Sequence, residues 1–141
     1  MPESFYQKGS YFMKKITNDW LASAESDLSL IRMIKSQEDL THLSAFHAQQ
    51  SIEKSFKAII EEYDLGFVKT HSLETLFNKV REIIHTEIEI DLLTLLDQLY
   101  IDARYPGELG LLPNGKPSPE EAKEFYSLAI QLYETAKATC G

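Results

Sequence analysis

Cysteine is nearly missing from the chain: of 141 residues only Cys140 is one. Without a second thiol there can be no internal disulfide and no cysteine-based metal site, so the expectation is a reducing, cytoplasmic setting with no metal and no cofactor. Long apolar runs are missing too. No window approaches the roughly 18 apolar residues of a membrane span, and "MPESFYQKGSYFMKK" at the N-terminus lacks the apolar core of a secretory signal. Positive charge is scarce, with 14 Lys and Arg against 22 Asp and Glu and a net charge of −8. That balance argues against a broad nucleic-acid-binding face, although a small basic pocket on an acidic body remains compatible with it. Alternating strand patterns, internal repeats, a phosphate-binding glycine loop, zinc-ligand spacings and a serine nucleophile elbow are all absent.

What is present is helical period. Apolar content of 43% and charged content of 26% fit one globular domain. Residues 1–12 have no period and Met13 is a second plausible start, so residues 1–16 are read as a flexible N-terminal extension before a single domain at 17–139. Trp20, Leu21, Ala24, Leu28, Ile31 and Ile34 recur at three- and four-residue steps, predicting a first helix over 17–35 capped by Thr17 or Asn18. A second is expected over 40–63, with Ala45, Ala48, Ile52, Phe56, Ile59 and Tyr63 inward and Gly66 as its stop. A third over 72–85 buries Leu73, Leu76, Phe77, Val80 and Ile84. A fourth over 88–104 offers Leu92, Leu95, Leu96 and Leu99, and stops where Tyr105 meets Pro106. The loop "PGELGLLPNGKPSP" follows. Ser118-Pro119-Glu120-Glu121 then signals a capped start for a fifth helix over 119–137, with Ala122, Phe125, Leu128, Ala129, Leu132 and Ala136 as its stripe. The sum is an all-α bundle with mostly antiparallel neighbours.

The second helix carries the chemistry. His47, Gln50, Lys54 and Lys57 share its outer face, while Gln49 and Glu53 press against its apolar stripe. Two ammonium groups three residues apart need an anion nearby, supplied by a bound phosphate or by Glu53 or Glu61; the face is otherwise simply solvated. A carboxylate at the edge of the core is costly unless paired. Glu53 should therefore meet Arg104, Lys57 or a tyrosine, either to fix helix packing or to aim a cation at a ligand.

Four blocks, Trp20-Leu21-x-x-Ala24-x-x-Asp27-Leu28, Phe46-His47-Ala48-Gln49-Gln50-Ser51-Ile52-Glu53-Lys54-x-x-Lys57-Ala58, Lys69-Thr70-His71-Ser72-Leu73 and Tyr100-x-x-Ala103-Arg104-Tyr105-Pro106, resemble in order and spacing the HEPN (higher eukaryotes and prokaryotes nucleotide-binding) domain family. The resemblance implies an up-and-down four-helix bundle with an additional shorter helix, five in all, and a homodimer. It also implies a nucleotide ligand or a small nucleotidyltransferase partner, with Gln50, Glu53, Lys54, Lys57, Tyr100 and Arg104 as the ligand-binding centre. Other members are metal-independent, toxin-like ribonucleases with an arginine separated from a histidine by four to six residues. Here Arg81 and His85 are separated by three, one short, so they stand only as remote catalytic candidates for a ribonuclease alternative and an enzyme is not the expectation. Three further features have bland alternatives. Arg104 is placed to cap its own helix through the C-terminal dipole, or to grip a phosphate with Tyr100 beside it. His71 reads as loop packing or proton transfer. Glu82-x-x-His85 lacks the companion ligands of a di-iron site.

Overall fold

The computed structural model describes residues 12–104 and 115–141, with the backbone alone at 103–104. The first eleven residues of the expected extension, the Tyr105–Pro106 corner and most of the following loop lie outside the described residues. Among the described residues five α-helices form: α1 (Lys15–Ile34), α2 (Thr41–Glu62), α3 (Leu73–Ile84), α4 (Ile90–Arg104) and α5 (Pro119–Cys140), with one 3-10 turn at Glu38–Leu40. No strand occurs among the described residues, as the period predicted.

Contacts at the two ends fix the directions. Ser51 Oγ donates to the Ala24 carbonyl at 3.1 Å and Lys14 Nζ reaches Asp64 at 2.7 Å, so α1 and α2 are antiparallel. The rings of Phe46 and Tyr100 stack at 5.3 Å while Gln49, three residues later on α2, bonds Asp97, three residues earlier on α4, so α4 runs against α2. α1, α2, α4 and α5 thus go up, down, up and down, and the 12-residue α3 is the shorter extra helix. The neighbours are less uniformly antiparallel than short connections imply. α5 runs with α2, since Tyr63 Oη donates to the Thr139 carbonyl at 2.9 Å where both helices end. α2 is the hub, and Ser44, Ala45, Ala48, Ser51, Ser55 and Ala58 are all buried on it. Small side chains at those positions let neighbours approach on more than one side.

Local signals succeeded where they were redundant. Ser118 accepts from the Glu121 amide at 3.0 Å while Glu121 accepts from the Ser118 amide at 2.9 Å, the expected reciprocal cap. Elsewhere tertiary contacts override them. α1 begins at Lys15, not at a Thr17 or Asn18 cap: the Lys14 amide donates to Glu62 at 3.1 Å and Thr17 is buried. α2 ends at Glu62 with Tyr63 as its C-cap, and Asp64 follows in the left-handed region (φ 52°), with the Leu65 amide bonded to the Ile60 carbonyl at 2.9 Å; Gly66 (φ 98°) comes two residues later. Aspartate tolerates this region at modest cost. The α4 stripe is rotated from the expected one. Leu93, Leu96 and Tyr100 are buried while Leu95 is exposed, because a helix this leucine-rich offers two phases of similar hydrophobicity. Tyr63 is 43% exposed rather than core, its ring lying along the end of α5.

α5 extends to Cys140, which is 1% exposed. Burial, aided by the Glu62 carboxylate, pushes its thiol up to about 11. A disulfide reagent at pH 8 should label the native protein far more slowly than the unfolded chain, because thiolate and access are both lacking. Immediate stoichiometric labelling in native buffer would mean the last turn of α5 is undocked.

Candidate functional site

Two nearly buried carboxylates organise the polar side of α2. Glu53, with its side chain 6% exposed, accepts from Lys57 Nζ at 2.8 Å, one turn along the same helix. It also faces His71 Nδ1 at 3.0 Å, and its other oxygen accepts from Gln49 Nε2 at 3.3 Å. Asp27 on α1, 10% exposed at its side chain, accepts from Lys54 Nζ at 2.8 Å and faces His47 Nδ1 at 2.9 Å. Each cluster therefore contains one carboxylate, one ammonium and one imidazole. A carboxylate only accepts, so Nδ1 carries the hydrogen in both histidines and Nε2 is the nitrogen left for other use. The anion that the adjacent lysines required is present twice, one for each.

The fully buried Gln49 ties these groups to the chain that follows α2. Its Nε2 also donates to the His71 carbonyl at 2.9 Å, and its Oε1 accepts from Gln50 at 2.8 Å. Asp97 of α4 accepts from the Leu73 amide at 2.9 Å and so caps α3 from across the bundle. Burial raises the pKa of Asp97 above the usual carboxylate value, against the lowering effect of that amide. The Lys69–Leu73 block is thus strapped at the His71 ring, the His71 carbonyl and the Leu73 amide. An aromatic run crosses the same region: Phe46 meets His47 edge-on at 5.2 Å and stacks on Tyr100, which lies 5.6 Å from the His71 ring.

Of the expected centre, Gln50, Glu53, Lys57 and Tyr100 are linked through Gln49 and His71, whereas Lys54 belongs to the separate Asp27 cluster. The Arg104 side chain lies outside the described residues. Lys57 is one of the partners foreseen for Glu53; His71 is an addition. Tyr100 is mostly buried against Phe46, which already occupies one of its faces. His47 and Lys54 are not on a bare solvated face but lean on α1, and Asp27 is the group that sequence reasoning left without a role. The signal was available: Asp27 lies three residues after Ala24 and four before Ile31, on the buried stripe, and raises the same question as Glu53.

Arg81 and His85 stand at the C-terminal end of α3, the His85 amide bonded to the Arg81 carbonyl at 3.2 Å. His85 is the C-cap of α3 in a left-handed conformation (φ 50°). Arg81 bonds Asn78 at 3.0 Å and covers the Phe77 ring at 5.1 Å. No grouping of three or more histidine, cysteine or acidic side chains suited to a metal occurs among the described residues, and no described helix is long and apolar enough to cross a membrane.

The family model described as HEPN domain matches residues 17–139. Among solved structures, an archaeal HEPN homologue, ST0689, is 28% identical, covering 92% of this chain and all 100% of its own, with a TM-score of 0.66. TT1696 from Thermus thermophilus is 24% identical over 89% of this chain and 99% of its own, with a TM-score of 0.71, a likeness of fold. No curated protein gives a significant match.

Proposed function

The chain belongs to the HEPN domain family, and on that premise we propose that it is a non-catalytic module that binds a nucleotide along the polar side of α2. In this reading it is a homodimer and the partner subunit of a small nucleotidyltransferase. The observation that carries the ligand reading is the pair of clusters on α2: on a protein of net charge −8, two lysines and two histidines are held along one side by Asp27 and Glu53. Fixed ammonium groups suit phosphate oxygens, and their positions are set before a ligand arrives. For a macromolecular partner the support is apolar exposure beside the α1–α2 connection, where Leu30 is 37%, Met33 78% and Leu43 39% exposed.

Saturating ATP or GTP should raise the melting temperature by several degrees, as selective binding to the native state requires. The same addition should move the NMR signals of Gln50, Lys54 and Lys57. If no nucleotide does either, direct binding is wrong, and co-elution with a nucleotidyltransferase remains to be judged separately. Cleavage of tRNA in EDTA that vanishes in His85→Ala would replace this reading with a nuclease.

A further inference from the structure

A cavity of about 510 Å³ opens between α1, α2 and the chain that follows α2, within the roughly 300–1,000 Å³ of small-molecule sites. Trp20, Ile60 and Val68 provide apolar lining; Lys57, Lys69 and His71 provide the basic groups, with Glu61 as the one carboxylate among the lining residues. Of these, Lys57 belongs to the ligand-binding centre considered above and His71 is joined to it through Glu53; the other five stand outside it.

The three basic groups are not equally committed. Lys57 is held by Glu53 at 2.8 Å and also lies 5.4 Å over the Trp20 ring, so its ammonium is engaged twice. His71 spends Nδ1 on Glu53 and has Nε2 left. The Lys69 ammonium, on an exposed side chain, has no partner among the described residues. An indole wall beside an uncommitted ammonium and an imidazole complements one chemistry in particular: a planar heteroaromatic ring carrying an anionic group a few bonds away. An acidic peptide would leave the indole and Val68 unused, and an apolar ligand would leave Lys69 and His71 unused.

We propose that this cavity takes a nucleoside monophosphate, its base against Trp20 and its phosphate at the Lys69 ammonium, with His71 donating through Nε2–H when its ring carries both protons. This rests on the nucleotide-binding reading and gives it a place and a polarity. It also gives the strapping of the Lys69–Leu73 block a use: Glu53, Gln49 and Asp97 fix the segment that presents the phosphate contacts.

Trp20 is the only tryptophan in the chain, so its emission reports on this cavity alone. Titration of the full chain with AMP or GMP should quench that emission. Calorimetry under the same conditions should give a matching dissociation constant. Ribose 5-phosphate should bind at least about tenfold more weakly, having no base. Lys69→Ala should weaken AMP about tenfold while leaving the melting temperature of the free protein unchanged, since Lys69 holds nothing internally. Nucleotide binding by calorimetry with unmoved Trp20 emission, or with Lys69→Ala at wild-type affinity, overturns the assignment to this cavity and spares the nucleotide reading. No heat with any nucleotide overturns both.

Discussion

Asp27→Ala is expected to lower the unfolding free energy by about 3 kcal/mol, read from urea or guanidinium melts at neutral pH. The carboxylate is 10% exposed and holds two groups that are each only 22% exposed, the Lys54 ammonium at 2.8 Å and the His47 ring at 2.9 Å. Truncation leaves both without their anion in a half-buried seam between α1 and α2, and the cost is that stranded charge more than the lost attraction. Two companions separate this from ordinary cavity formation. Asp27→Asn keeps an acceptor of the same shape and should cost about half as much. Lys54→Met added to Asp27→Ala should recover part of the loss, because an apolar replacement of both partners removes the stranded ammonium. A single variant within about 0.5 kcal/mol of wild type, or a double variant no better than the single, would mean the pair is a surface contact with no structural weight.

How much of this was legible follows from which interactions are local. The periods of α1, α3 and α5 name most of their buried residues, because one phase clearly dominates each, while that of α2 names five of its fourteen, since small and polar side chains are buried on its other sides. In α4 two phases compete and the wrong one is the more obvious. The reciprocal cap of α5 lies within four residues and is readable; the start of α1 depends on Glu62, forty-eight positions from Lys14, and is not. The anomaly at Glu53 was visible because desolvating an unpaired carboxylate is costly whatever surrounds it. Its identity as a hub was not, since His71 returns to it only because the chain doubles back after Asp64 and is then held by Gln49 and Asp97. A helical wheel drawn for α2 alone likewise places Lys54 and His47 outward; only the antiparallel register with α1 supplies Asp27. The motif blocks therefore marked residues that, in the folded chain, mostly face one another.

The hub at Glu53 gives the second large effect, and it separates stability from presentation. Glu53→Ala should cost about 2–3 kcal/mol, the Lys57 and Gln49 contacts being largely buried and the His71 contact, at a side chain 57% exposed, adding little. The more telling consequence is local. With the carboxylate gone, the His71 ring loses its tether while its carbonyl stays bonded to Gln49 and Leu73 stays bonded to Asp97. Hydrogen exchange should accelerate at residues 67–71 and remain slow from Leu73 onward, where α3 and its cross-bundle cap are intact. Asp97→Ala should reverse that pattern, freeing the start of α3 and leaving the His71 ring in place. Glu53→Gln keeps a neutral acceptor for Lys57 and should fall between wild type and Glu53→Ala in stability. Because residues 53 and 54 serve different partners, Glu53→Ala and Asp27→Ala should add to within about 0.5 kcal/mol. A larger coupling would mean that α2 shifts as a body when either carboxylate is removed, and the two clusters would then be one device. Uniform acceleration of exchange in Glu53→Ala, through α3 as well as before it, would show that the carboxylate supports the whole bundle and has no special hold on the segment that follows α2.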